Sequence, residues 1–379
     1  MTLPNPQAGI LSQGDALVTH TADNVDLASL WNELNEVYAV ANEHRTNIAR
    51  LLSWATTDTA AVVPQNSNPP EMELATEFCV PKAVGMPADT LLMGYTFHDY
   101  DVSHRASWRF LRSATADQVR TIINSVIESD NRLVNGNILY RLTNPASEKN
   151  EWAQTCYGLW NGTDSLAPPP WMGNTFTNTH SHFVPTGAAQ IDSEDLEDGF
   201  RLITEHGYGL KETGSQLLVF CNYNESQYIQ SFRANEASRP SGPEARFSFI
   251  PSISAPPYLS PDFLIGTPAP AQFGGLDVVG SYGPAYIIET SYLPSGYVVI
   301  VATGGPDALS NTVAVRQHPN PAYQGLRLIP GPKTEYPLVE SFSARSFGVG
   351  VRHRGSAVVL QVTTATSYTA PTKSAFGIR

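Results

Sequence analysis

Three observations predict an α+β fold for this chain. Residues 115–142 carry a long run of helical periodicity, and the apolar run Gln216–Cys221 reads as a buried strand. From Tyr336 onward, two strand-like runs are joined by a polar turn at His353-Arg354-Gly355-Ser356. Helices interleaved with strands of antiparallel type make the class α+β rather than doubly wound.

Taken in order, residues 1–25 are polar and aperiodic and read as an extended arm. Asp26 is a credible N-cap. After it, Leu27, Leu30, Trp31, Leu34, Val37, Tyr38, Ala41, Ile48, Leu51 and Leu52 recur at helical spacing, and this helix breaks near Thr56. Residues 56–72 are rich in Pro, Asn and Ser and read as a linker. Residues 74–112 read as a two-stranded excursion turning at 85–89, with aromatics on alternate positions around Tyr95 and Phe97. A lone hairpin is marginal in water, so this one is expected to lie on another element.

Thr115 with Gln118 forms a capping box. Val119, Ile122, Val126, Leu133, Ile138 and Leu142 then mark one face of a helix that Pro145 ends. It spans about 40 Å at 1.5 Å per residue. After a loop-rich stretch, Asp192 opens a helix with Leu196, Phe200 and Ile203 inward, closed at Gly207 by a left-handed cap. Asn224 with Gln227 is expected to cap a short helix to Arg233. A Pro-rich connection over 238–272 leads to strands at 275–282, 285–292 and 297–303. In the last ribbon Phe347, Val349 and Val351 alternate with Gly348, Gly350 and Arg352, the period of a half-buried strand. The two glycines suit a bulge or a close backbone approach. Ala357-Val358-Val359-Leu360 is apolar on both faces, as in the interior of a sheet.

Composition narrows the function. Charged residues are 15% of the 379 positions, against roughly 25% for ordinary globular chains. Few charges remain to keep bare surface in water, which points to surface buried against other subunits. The net charge is −12, with five lysines and eighteen arginines. Arginine suits interface ion pairs, and lysine is depleted there. An acidic chain without a basic run cannot grip nucleic acid through counterion release; it can only enclose it. Cys79, Cys156 and Cys221 fit neither a disulfide framework nor a zinc site, and Cys221 reads as a small buried hydrophobe. There is no secretory signal and no apolar stretch of membrane-span length, so a reducing cytoplasm is the expected setting.

No constellation reads as catalytic. His180-x-His182 places two imidazoles on one face of a strand, but no third ligand is spaced with them, so no metal site is expected. The segment His98-Asp99-Tyr100-Asp101-Val102-Ser103-His104 puts its histidines and aspartates on opposite strand faces, which suits interface hydrogen bonding. Ala302-Thr303-Gly304-Gly305-Pro306 lacks the Lys-Ser/Thr of a phosphate loop. Gly207-Tyr208-Gly209 follows a helix, not a strand, so it fails as a dinucleotide turn. No catalytic residue and no cofactor are expected.

The chain resembles the major capsid proteins of tailed bacteriophages, with the Hong Kong 97-type fold, and looks closest to those of actinobacterial phages. The likeness is carried by Gly94-Tyr95-Thr96-Phe97 through Phe110-Leu111 and by 116–142, including Glu128-x-Asp130-Asn131-Arg132-Leu133-Val134. Val313-Ala314-Val315-Arg316, Gly325 to Gly331 and Ser346 to Gly355 continue it. The resemblance implies a layout: N-arm 1–25, N-terminal helix and linker 26–73, and E-loop 74–112. A P-domain over 113–189 (spine helix 115–143) and an A-domain over 190–335 follow, with a P-domain return ribbon and tail over 336–379. It implies a shell of hexamers and pentamers enclosing double-stranded DNA in the virion, assembled in the host cytoplasm. A portal protein, a separate scaffolding protein and decoration or minor capsid proteins are the expected partners. Some relatives link an E-loop lysine to a late asparagine. Here the only lysine of the excursion is Lys82 and no asparagine follows Asn320, so no covalent chainmail is expected. Arg345, Arg352 and Arg354, with Glu340 as a partner, and Tyr95, Phe97, Asp99 and Asp101 are the expected intersubunit contacts. An encapsulin-type compartment shell is the nearest alternative reading. A loop-rich hydrolase or sugar-binding protein using the His98–His104 segment is the alternative from another class.

Overall fold

The largest core lies on a seven-stranded mixed sheet. In a computed structural model of the chain, the described residues are 20–43, 46–65, 90–254, 268–331 and 338–378, with isolated positions between 72 and 80. The chain divides into two compact units. The arm through residue 19, the excursion turn at 85–89 with Lys82, Cys79, and residues 255–267 of the Pro-rich connection lie outside the described residues.

The larger unit comprises residues 46–97, 132–316 and 348–379. Its sheet runs Phe183–Pro185, Ala357–Gln361, Tyr297–Thr303, Gln216–Cys221, Ala285–Glu289, Gly280–Tyr282, Phe249–Pro251. Gln216–Cys221 pairs in parallel with Ala285–Glu289, and Ala357–Gln361 in parallel with Phe183–Pro185. These strands are therefore not purely antiparallel, as the sequence reading expected. Interior strands of a sheet covered on both faces need apolar residues throughout, which explains the unbroken runs. Leu217, Val219, Val298, Ile300, Val358 and Leu360 are buried in one cluster with Leu196, Phe200 and Ile203 of the helix Ser193–Thr204. Each such side chain contributes about 1.5–3 kcal/mol on burial. That helix opens on a reciprocal Asp192–Asp195 capping box, and Gly207 at φ +82° follows its end. Cys221 is buried in the same cluster, as a small hydrophobe should be.

The smaller unit comprises residues 1–45, 98–131 and 317–347. Leu34 and Tyr38 of the helix Leu27–Glu43 pack with Val126 and Leu326. The Asn42 side chain takes the place of a strand neighbour: Nδ2 donates to the Leu326 carbonyl at 2.8 Å, and Oδ1 accepts from Leu326 N at 2.7 Å. Residues 338–347 pair antiparallel with His98–Ser107 on one side and with Leu326–Pro330 on the other. Only the later part of the expected second strand, His98–Ser107, thus lies on another element; its start, Thr90–Gly94, is a separate strand paired with Ala60–Pro64. The spine helix Ala116–Thr143 begins at its expected box, with Thr115 N donating to Gln118 Oε1 at 3.1 Å.

Further expectations are corrected. The first helix is two, Leu27–Glu43 and Asn47–Leu52, followed by the strand Ser53–Thr56, which pairs in parallel with Val313–Gln317. Part of the 56–72 linker is the strand Ala60–Pro64, whose Ala-Ala-Val-Val run pairs antiparallel with Thr90–Gly94. Asn222, not Asn224, stands at the N-cap of Tyr223–Gln230. The turn at His353–Ser356 does not fold the last two strands onto each other: Leu338–Val351 and Ala357–Gln361 belong to different sheets. Among the described residues, no helix is long and apolar enough to cross a membrane.

Candidate functional site

The strand pair Ala60–Pro64 and Thr90–Gly94 leads into the excursion, and the larger unit builds a rigid root for it. Tyr95 N donates to Thr59 O at 3.0 Å, and Asn150 Nδ2 donates to Thr59 O at 3.2 Å and Tyr95 O at 3.3 Å. Thr96 Oγ1 donates to Val349 O at 2.9 Å and accepts from Val349 N at 3.0 Å. This exchange needs backbone against backbone. A Cβ on Gly348 would fall inside the Thr96 carbonyl, and one on Gly350 would meet the Tyr95 ring at 2.5 Å. The close approach expected of these glycines is present. Arg316, itself buried, pairs with Glu151 at 2.6 Å and lies 4.9 Å over the Phe97 ring. Neither Arg316 nor Asn150 was singled out by chemistry in the sequence, although Arg316 ends one of the resembling segments.

Above this root the hairpin exposes apolar side chains. Val62 and Leu92 are cross-strand partners, exposed at 61% and 44%. Met72, Leu74 and Val80 beyond them are also exposed. Apolar pairs on a two-stranded ribbon gain burial only against another surface.

The expected contact residues divide by exposure. Arg354 is enclosed by its own unit. Its Nε donates to Gly158 O at 2.9 Å, Nη2 reaches Leu159 O at 3.3 Å and the Asp164 carboxylate, and its plane lies 3.9 Å over Trp160. A buried guanidinium persists when its charge is paired and most of its fork is bound; here Nε and Nη2 are bound and only Nη1 is left without a hydrogen-bond partner among the described residues. Tyr95 is fully buried with Trp54 and Ala314, and burial pushes its phenol up to about 12. In the smaller unit Arg345 pairs with Asp130 at 2.6 Å, where burial raises the carboxyl of Asp130. Glu340 pairs with Arg105, its direct cross-strand neighbour, at 2.7 Å. Its partner inside the chain is therefore none of the three arginines. Asp99 and Asp101 are exposed. Phe97 is half-buried, as is Arg352, which lies 5.3 Å over Trp54 and has no ion pair among the described residues.

Folding also gathers three histidines. His180 and His182 precede the edge strand Phe183–Pro185, and His206 follows the end of Ser193–Thr204. Their ligand atoms lie within 4.8 Å of one another. The third imidazole missing from the local spacing thus arrives from 24 residues further along the chain. Burial holds all three well toward the neutral form, His206 down to about 3.

No protein-family model matches the chain, and no curated protein matches it. Solved structures do. A chain from Mycobacterium phage Patience is 40% identical, with a TM-score of 0.72, over 98% of this chain and 97% of that one. The capsid of an empty GTA particle shares the fold at 12% identity and a TM-score of 0.50, over 84% of this chain and 90% of that one. Similarity of the first kind, along nearly the full length of both chains, places this protein in the family of tailed-bacteriophage major capsid proteins with the Hong Kong 97-type fold.

Proposed function

We propose that this chain tiles as hexamers and pentamers into the icosahedral head of a tailed bacteriophage, around double-stranded DNA, with the hairpin at 60–94 laid over a neighbouring subunit. The observation that carries the reading is the relative 40% identical across 98% of the chain. The hairpin supports it physically, because Val62, Leu92, Met72, Leu74 and Val80 are apolar groups left in water by one copy alone. A specific interface buries on the order of 1,600 Å², and closed symmetry repeats each contact around the shell.

Among the contact residues we assign Asp99, Asp101, Phe97 and Arg352 to contacts with a neighbour, because Asp99 and Asp101 are exposed and Phe97 and Arg352 only half-buried in one copy. Arg345, Arg354, Glu340 and Tyr95 hold the surfaces from within their own units. The domain layout we propose is N-arm 1–25, N-terminal helix and linker 26–73, E-loop 74–112, P-domain 113–189 with 336–379 and A-domain 190–335, with Phe183–Pro185 and Ala357–Gln361 of the P-domain segments sharing a sheet with A-domain strands. The E-loop's stem begins at the strand Ala60–Pro64. A portal protein, a separate scaffolding protein and decoration or minor capsid proteins complete the set of partners, with the shell assembled in the host cytoplasm and kept as the head of the virion. The acidic, lysine-poor composition suits a wall along which DNA slides without sticking.

Electron microscopy of the chain expressed with its scaffolding partner tests the proposal. Closed icosahedral shells are expected. A chain that stays a monomer of 41.1 kDa under all conditions, or shells that fill with protein cargo and not DNA during infection, would overturn it.

A further inference from the structure

We propose that His180, His182 and His206 bind one divalent transition-metal ion through their Nε2 atoms, with zinc as the favoured ion, forming a structural clamp inside the larger unit. This site does not depend on the shell reading.

The geometry is nearly that of a ligand set. His180 Nε2 stands 3.1 Å from His182 Nε2 and 2.9 Å from His206 Nε2, and the three ring centroids are 5.0–5.1 Å apart. A tetrahedral zinc with bonds of about 2.0–2.1 Å sets its nitrogens about 3.3 Å apart, so the two distances from His180 need open by only a few tenths of an ångström, while His182 and His206, within 4.8 Å of each other, close around the ion. One ring is already oriented. His182 Nδ1 donates to the Ala357 carbonyl at 2.7 Å, which leaves the lone pair of a neutral ring on Nε2, facing its neighbours. Phe176 stacks on His206 at 4.0 Å and fixes that ring's plane.

Without an ion the cluster is poorly satisfied. His180 Nε2 faces two other Nε2 atoms, and a neutral ring has one proton or one lone pair there. A proton on it must serve both contacts at once; a lone pair would face the lone pair of His182. A cation accepts all three lone pairs and removes the conflict. The groups around the cluster do not oppose one. Burial keeps the imidazoles neutral, the Glu205 carboxylate acts on His180, and the nearby Arg354 charge is neutralised by Asp164. A cavity of about 210 Å³, lined by His206, Trp160, Trp171 and Tyr208, lies beside the rings. Solvent can supply a fourth ligand from there. Three imidazoles and no thiolate suit zinc, copper or nickel over magnesium or calcium.

The clamp would tie the end of the helix Ser193–Thr204 to the edge of the main sheet. Purified full-length subunits or shells, incubated with zinc sulfate and dialysed against metal-free buffer, are expected to retain about one zinc per chain by elemental analysis. Cobalt(II) in its place should give the intense visible absorption of a four-coordinate site. Removing the ion with EDTA should lower Tm. The variant H206Q should cut retained zinc at least about tenfold while keeping the far-UV circular dichroism spectrum. If that variant fails to fold, the cobalt titration of the unaltered chain decides alone. Unaltered chains that keep less than about a tenth of an equivalent of zinc, give no visible cobalt band and melt identically with and without EDTA would overturn the site; the rings then form a hydrogen-bonded cluster only.

Discussion

Replacing Arg354 separates two roles that a basic residue on a capsid ribbon can have. If it supports its own unit, its loss weakens the subunit before any assembly. If it reaches a neighbour, free subunits are unchanged and only particles suffer. The structure argues for the first. Truncation to Ala leaves the Asp164 carboxylate and the Gly158 and Leu159 carbonyls without their donor and uncovers the Trp160 face. Breaking one side of a buried ion pair costs about 3–5 kcal/mol, a large part of the roughly 5–15 kcal/mol by which a folded chain is stable. R354K keeps the charge but not the planar fork, and should lose about 1.5–3 kcal/mol, the worth of a hydrogen bond to a charged group. Urea unfolding of unassembled subunits, followed by Trp fluorescence, gives the midpoints directly. The expected order is wild type above R354K above R354A. An R354A subunit that unfolds at the wild-type midpoint yet forms no particles would refute the reasoning and restore Arg354 to an intersubunit role.

Four further outcomes are expected. G348A sets a methyl against the Thr96 carbonyl and breaks the Thr96–Val349 exchange, so it should cost about 3 kcal/mol, the upper end of overpacking, read as a lowered urea midpoint or insoluble expression. Among the described residues R352A loses a cation–π contact with Trp54, worth about 0.5–1 kcal/mol; subunits should stay folded by circular dichroism while particle yield falls, and normal yield rejects the contact. In metal-free buffer the subunit should lose stability as pH drops below the ordinary imidazole value of 6.5, because the unfolded chain then protonates His206 while the folded chain, held at about 3, does not. The loss from this group reaches about 2 kcal/mol near pH 5, and equal urea midpoints at about pH 7.5 and pH 5 would contradict it. Finally, shells boiled in denaturant should run as monomers on a gel; a ladder of multimers would mean that Lys82 or another group cross-links them.

What was legible in the sequence followed from patterns that one element can satisfy alone. Thr115 and Gln118 announce their helix because the box closes within four residues. Gln216–Cys221 is legible because a strand inside a covered sheet is apolar on both faces. The strand Ala60–Pro64 was obscured by the Pro and Asn that follow it, and its pairing depends on Thr90–Gly94 across a long excursion. Arg354 and Glu340 were legible as unusual charges on an apolar ribbon, but not their partners. Asp164 lies 190 residues before Arg354, and Arg105 lies 235 before Glu340. The histidine cluster fails for the same reason: His206 joins His180 and His182 only because the helix Ser193–Thr204 folds back along the sheet.

The same distinction explains how one chain can be both rigid and adaptable. Charges are scarce at 15% of residues, and those placed best for ion pairing are used inside each unit: Arg354 with Asp164, Arg316 with Glu151, Arg345 with Asp130. Directional pairs built on a largely buried arginine tolerate little movement, so they suit the root of the hairpin and the turn at His353–Ser356. The outward groups are of another sort. Val62, Leu92, Met72, Leu74 and Val80 attract through area, without a required angle. A subunit that must fit both five-fold and six-fold rings needs contacts that survive a change of angle between neighbours. Apolar surface on a firmly rooted hairpin provides that, whereas an intersubunit network of buried arginines would favour one ring over the other.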